Sequence, residues 1–146
     1  AAGVAGAFVA ADPVVIDWLV NKARSYIFTT AASPAIAATL AESVNLLAAG
    51  DARRAHLFAR IAQLRDGLAG TRWQLCDSAS AIQPIIVGDN HEALALAEAL
   101  FERGLWVPAI RPPTVPKGTA RLRVTLSAAH SEAHVAALVS ALKELA

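Results

Sequence analysis

Methionine is absent from these 146 residues, and cysteine occurs once. A single thiol, Cys76, can form no internal disulfide and has no CxxC neighbour with which to hold a metal, so a small buried apolar residue is expected there. No metal site is expected from the four histidines; His91 and His134 fall at expected helix starts, where a polar residue is ordinary. Excess charge is missing as well: a formal net charge of +1 gives no electrostatic footprint for nucleic acid. Arg53, Arg54, Arg60 and Arg65 cluster, but at helical spacing with Asp51 and Asp66 close by, and a solvated helix face is the expectation. Although 55% of the residues are hydrophobic, charges break every apolar run before it reaches the roughly 18 residues of a membrane span. No basic flank of a signal peptide precedes the opening AAGVAGAFVAA, and a cytoplasmic protein is expected. That opening has neither charge nor turn signal and reads like the interior of a longer protein. Nor does the sequence offer a nucleophile with its base: there is no GxSxG, no cysteine with a histidine partner and no carboxylate pair in a loop.

What is present reads as an α/β protein. VAGAFVAA is expected as a short buried strand, and Asp12-Pro13 starts a helix, with a capping carboxylate ahead of proline at the first helical position. YIFTT, at 26–30, is β-prone and expected to be extended. Ser33-Pro34 opens a second helix that Gly50 stops, and Asp51 caps a third carrying Leu57, Phe58, Ile61 and Leu64. Strands are expected at 73–75, 82–87 and 105–110, with a helix from Glu92 to a stop at Gly104. ARLRVTLS alternates, with Leu122, Val124 and Leu126 on one face and Arg121, Arg123 and Thr125 on the other; Ser131 opens the last helix. The predicted order is β-α-β-α-α-β-β-α-β-β-α, a helical connection joining the end of one sheet to a small second domain.

Chemistry concentrates in RPPTVPKGTARLRVTLSAAH, where three arginines, one lysine and three prolines share twenty positions. Arg121 and Arg123 face either solvent or a pocket; a guanidinium on a rigid strand is a natural holder of a carboxylate, because its planar fork matches two oxygens. Arg111 stands before Pro112-Pro113 as a second cation, and Thr114 between prolines presents its hydroxyl in a narrow range of directions. Thr29 and Thr30 precede a helix, where hydroxyls and free N–H groups either cap it or bind an anion such as phosphate. Gly3 and Gly6 are too few and too loosely spaced for a phosphate loop.

Together, GVAGAFVAA, ARSYIFTTAASPA and ALFERGLWVPAIRPPTVPKGTARLRVTLSAAH resemble the C-terminal part of the α-oxoamine synthases, pyridoxal-phosphate enzymes of fold type I, the aspartate aminotransferase-like group. The resemblance implies an α/β fold in which residues 1–54 end the cofactor-binding large domain with its interdomain helix and residues 55–146 form a small C-terminal α+β domain. It implies pyridoxal 5'-phosphate as cofactor and a homodimer whose active site lies at the subunit interface. Arg123 matches the arginine that grips the amino-acid carboxylate, Thr114 a threonine at the substrate site, and Arg111 a supporting position near the acyl chain or carboxylate. Thr29, with Thr30 as second choice, matches the hydroxyl that reaches the cofactor phosphate of the partner subunit. The loop is most similar to the branch that condenses L-alanine with a pimeloyl thioester, on coenzyme A or a carrier protein, in biotin synthesis. A sibling using glycine with an acetyl or succinyl thioester, or a noncatalytic anion-binding or dimerisation module, is the alternative. In the family the Schiff-base lysine stands just before the GVAGA strand; Lys22, Lys117 and Lys143 do not match its motif, so the chain is expected to follow that lysine in a longer polypeptide.

Overall fold

The computed structural model describes residues 2–146, which fall into two compact units, Ala1–Gly50 and Asp51–Ala146. In the first, the Asp12 carboxylate accepts from the Val14 N–H at 3.1 Å and Pro13 fills the first helical position, so α1 runs Pro13–Lys22. A four-residue α2, Arg24–Ile27, follows, and α3, Pro34–Ala48, begins after Ser33. Gly50 is the one buried residue of this unit among those described, and the apolar side chains of α1 and α3 are exposed or half-buried.

The second unit carries the core. Helix α4 spans Asp51–Leu68; β1, Gln74–Leu75, and β2, Ile82–Gly88, follow; then come α5, Asn90–Glu102, β3, Ala109–Ile110, β4, Ala120–Thr125, and α6, Glu132–Glu144. Asp89 caps α5, accepting from the His91 and Glu92 N–H groups, and Gly104 stops it at φ +77°. Ser131 caps α6 in a reciprocal box: its hydroxyl accepts from the His134 N–H while the His134 ring accepts from the Ser131 N–H. The sheet order is β1-β2-β4-β3, antiparallel throughout, with Gln83 opposite Val124, Ile85 opposite Leu122 and Ala109 opposite Leu122. Paired residues share a face, so Gln83, Ile85, Leu122 and Val124 form the inner one, packed with Ile61, Leu64, Leu68, Leu100, Val135 and Leu142. The Trp73 indole is buried with them and donates to the Leu142 carbonyl at 2.7 Å, tying the strand side to the end of α6.

Five expectations need correction. VAGAFVAA is irregular, with Phe8 84% exposed; a strand requires a neighbour to satisfy its N–H and C=O groups, and none pairs with it among the described residues. YIFTT is not extended: the Tyr26 and Ile27 N–H groups bond back to the Ala23 carbonyl, and this local helical turn overrides the β-propensity of the side chains. The strand expected at 105–110 shrinks to Ala109–Ile110, because Pro108 has no N–H for the ladder, although its carbonyl still accepts from the Arg123 N–H at 2.9 Å. Cys76 is half-buried rather than buried. Arg65 is no solvated charge: its Nη1 donates to the Cys76 carbonyl at 3.1 Å and to the Gln83 Oε1 at 2.8 Å, while Arg60 is half-buried with Nη1 3.7 Å from the Glu132 carboxylate. The observed order is therefore four helices followed by β-β-α-β-β-α.

Candidate functional site

Both arginines singled out on β4 stand on the outer sheet face. On β2 it presents Ile82, Pro84 and Ile86; opposite them on β4 stand Thr125, Arg123 and Arg121, so an apolar stripe lies beside a cationic one. The two arginines differ in their commitments. Arg121 is half-buried and spends its fork locally, Nε donating to the Thr119 carbonyl at 3.0 Å and Nη2 to the Thr119 hydroxyl at 3.2 Å. The Arg123 guanidinium is exposed and has no hydrogen bond or ion pair among the described residues, while its backbone is fixed in the ladder at both neighbours. A fork held on a rigid strand with all its donors unspent is what a carboxylate needs.

The β3–β4 loop is two successive turns. The Thr114 N–H donates to the Arg111 carbonyl at 3.1 Å across Pro112-Pro113; then the Thr119 N–H and hydroxyl both donate to the Pro116 carbonyl, at 3.2 and 2.8 Å. Gly118, at φ +76°, takes the third position of this second turn, and since no other residue type has positive φ the turn is type II. Arg111 and Thr114 are exposed, and neither the Arg111 guanidinium nor the Thr114 hydroxyl has a partner among the described residues. One hairpin thus gathers Arg111, Thr114, Arg121 and Arg123. Thr29 and Thr30 belong to the first unit, in the turn after α2, both exposed; the Thr29 hydroxyl makes only a 3.5 Å bond to the Thr30 carbonyl. Neither caps α3, whose N-cap residue is Ser33.

At the edge of the sheet a cleft of about 640 Å³ opens between the Gly104–Pro108 segment and the first turns of α6, with Trp106, Arg123, His130 and His134 among its lining residues. The sequence reading gave His130 no role. Its Nδ1 accepts from the Ser127 N–H at 3.0 Å, and its carbonyl receives the His56 Nε2 at 2.9 Å, so it closes the turn that carries the chain from β4 into α6. The signal was available: Ser127 and His130, like Ser131 and His134, stand three apart.

The sequence profile described as "Aminotransferase class I and II" matches residues 1–142. The chain belongs to the aminotransferase class I and II family. Among curated relatives of this family member, the 8-amino-7-oxononanoate synthase of Dechloromonas aromatica (strain RCB) is 66% identical over 146 residues, covering 100% of this chain and 38% of the relative. That of Herminiimonas arsenicoxydans is 63% identical over 98% of this chain and 37% of its own length. The chain thus spans less than two-fifths of the curated relatives it matches. Among solved structures, Sphingomonas wittichii serine palmitoyltransferase superposes with a TM-score of 0.79 at 34% identity, over 89% of this chain and 33% of that one. A structure of SPT with PLP gives 0.80 at 28% identity, with the same coverage. The 8-amino-7-oxononanoate synthase of Francisella tularensis, 24% identical over 91% of this chain and 39% of that one, shares the fold at a TM-score of 0.78. The fold is that of the fold type I, aspartate aminotransferase-like enzymes, an α/β assignment that agrees with the resemblance. Among the described residues no helix is long and apolar enough to cross a membrane.

Proposed function

We propose that this chain is a segment of an 8-amino-7-oxononanoate synthase, a cytoplasmic, homodimeric, pyridoxal-phosphate-dependent acyltransferase of biotin biosynthesis. The reaction is the decarboxylative condensation of L-alanine with a pimeloyl thioester, giving 8-amino-7-oxononanoate, carbon dioxide and the free thiol of coenzyme A or a carrier protein. Residues 1–54 belong to the end of the cofactor-binding domain and residues 55–146 to the small domain. The observation that carries the reading is the unspent, strand-mounted Arg123 guanidinium beside the Arg111–Thr119 loop, in a chain 66% identical to a protein of that name.

Arg123 takes the alanine carboxylate in its fork and fixes the amino acid's orientation; holding a reactant in one geometry removes an entropic part of the barrier. Thr114 and Arg111 flank that position from the loop, and the apolar stripe of Ile82, Pro84 and Ile86 excludes water from one side of it. Thr29, with Thr30 beside it, donates to the phosphate of the cofactor held by the partner subunit. Its hydroxyl suits that task, since it is exposed and engaged only by a 3.5 Å bond. Pyridoxal phosphate, when bound, supplies the electron sink for the carbanion at the alanine Cα. The Schiff-base lysine is none of Lys22, Lys117 or Lys143, which do not match its motif.

The test offers alanine and glycine to the full-length protein against pimeloyl, acetyl and succinyl thioesters. Turnover with alanine and the pimeloyl thioester, with KM for alanine raised about tenfold or more by Arg123→Ala, is expected for a charge-assisted bidentate pair. Preference for glycine with a shorter thioester would replace the proposal with a sibling activity, and an unchanged KM for alanine would remove Arg123 from the carboxylate.

A further inference from the structure

Between Arg103 and Glu132 the sequence contains no acidic residue, yet it carries Arg111, Lys117, Arg121 and Arg123. Arg121 is committed to Thr119. The other three are exposed, and no hydrogen bond or ion pair reaches their side chains among the described residues. Arg123 on the strand and Arg111 at the loop's entry have the planar forks that suit carboxylates, whereas Lys117 is a compact point charge. Lys117 occupies the second position of the type II turn Pro116–Thr119, at its outer corner. That corner is held by two bonds to the Pro116 carbonyl, which close the turn. From Arg123 to the start of β4 at Ala120 is three strand residues, about 10 Å, with the turn beyond.

We infer that Lys117 binds the 4'-phosphate of the pantetheine arm that delivers the acyl thioester, an inference that rests on the acyl-transfer reading above. The amino-acid carboxylate lies at Arg123, the acyl group lies beside Thr114 and Arg111, and the pantetheine arm leads outward past the loop to its exposed cation. Coenzyme A and a carrier protein both present this phosphate, so the charge serves either source. An exposed ammonium gives up rotamer freedom to meet a phosphate, so the pair is a modest one and is strongest at low ionic strength.

The test is calorimetric titration of the full-length protein and its Lys117→Ala and Lys117→Arg variants with pantetheine, 4'-phosphopantetheine, coenzyme A and a phosphopantetheinylated carrier protein. Lys117→Ala should weaken 4'-phosphopantetheine and coenzyme A by about two- to fivefold, a loss that shrinks at high salt, and Lys117→Arg should retain most of the affinity. Pantetheine, which lacks the phosphate, should bind wild type and variants alike. An equal loss for pantetheine would make Lys117 a packing residue and overturn the inference. So would a loss confined to coenzyme A, since the nucleotide phosphates would then be the contact. A Lys117-dependent loss with the carrier protein as well supports the site and shows that a protein can present the same phosphate. Wild-type protein that binds 4'-phosphopantetheine through Lys117 but turns over no thioester would overturn the acyl-transfer reading and leave the phosphate site standing.

Discussion

Gly67 lies in the last turn of α4, where a methyl group would normally help: glycine to alanine gains up to about 1 kcal/mol in a helix interior, and less near a frayed end. Across the interface with α6, however, a Cβ on Gly67 would meet both Val139 methyls at 2.9 Å and the Val139 Cβ at 3.5 Å. Valine is held near one χ1 rotamer in a helix, so it cannot swing away, and the two helices must part or strain. Overpacking of this kind costs about 1–3 kcal/mol, which exceeds the propensity gain. Gly67→Ala should therefore destabilise the protein by about 1 kcal/mol, or about 4–8 °C in Tm for a cooperative unit of this size. The decisive assay is a double-mutant cycle by urea denaturation. Val139→Ala alone opens a gap and costs stability, but combined with Gly67→Ala it makes room for the new methyl, so the pair should be more stable than the sum of the singles by about 1 kcal/mol. A stabilising Gly67→Ala, or single changes that simply add, would refute the close approach of α4 and α6 at this point.

Gln83→Leu should cost about 1–3 kcal/mol in the same assay, because it leaves the half-buried Arg65 guanidinium with only the Cys76 carbonyl and takes the amide donor from the carbonyls of Ser78 and Ser80. A loss below about 0.5 kcal/mol would mean that water replaces those bonds freely. Asp89 is held below its ordinary carboxylate pKa, first by the Glu92 N–H and then by the His91 N–H at the start of α5. A depressed folded-state pKa stabilises the fold above the ordinary value of 3.8, and that contribution is lost as pH falls through the lower folded value. Thermal melts should accordingly show wild type above Asp89→Asn at pH 6, the gap closing in the acid range below 3.8. A gap independent of pH would mean that the charge on Asp89 contributes nothing.

Where local signals and packing agreed, the fold was legible. Asp12-Pro13, Gly104 and Ser131 mark helix ends that the structure keeps, and the alternation of Leu122, Val124 and Leu126 with arginine and threonine gave β4 and its buried face directly. The failures lie where apolar composition stood in for pairing. VAGAFVAA and YIFTT have strand-like side chains, but a strand exists only when another backbone answers it, and residue type alone cannot supply that neighbour. Buried polar wiring was illegible for a related reason. Arg65 sits at the spacing of a solvated helix face, and only the fold brings Gln83 and the Cys76 carbonyl to its guanidinium.

For the site, alternation alone could place Arg121 and Arg123 on one face but could not say which was available. That choice depends on the loop. Thr119 stands two residues before Arg121, and the type II turn at Pro116–Thr119 delivers both its carbonyl and its hydroxyl to that side chain. Turn chemistry therefore does more than reverse the chain: by engaging Arg121 through two donors it leaves Arg123 as the strand's unspent fork, and by exposing Lys117 at its corner it sets a second cation outward from the first. Proline and glycine spacing in VPKGT, which looks like simple loop punctuation, is thus what sorts four similar charges into a structural one, two carboxylate-matched forks and an outer point charge.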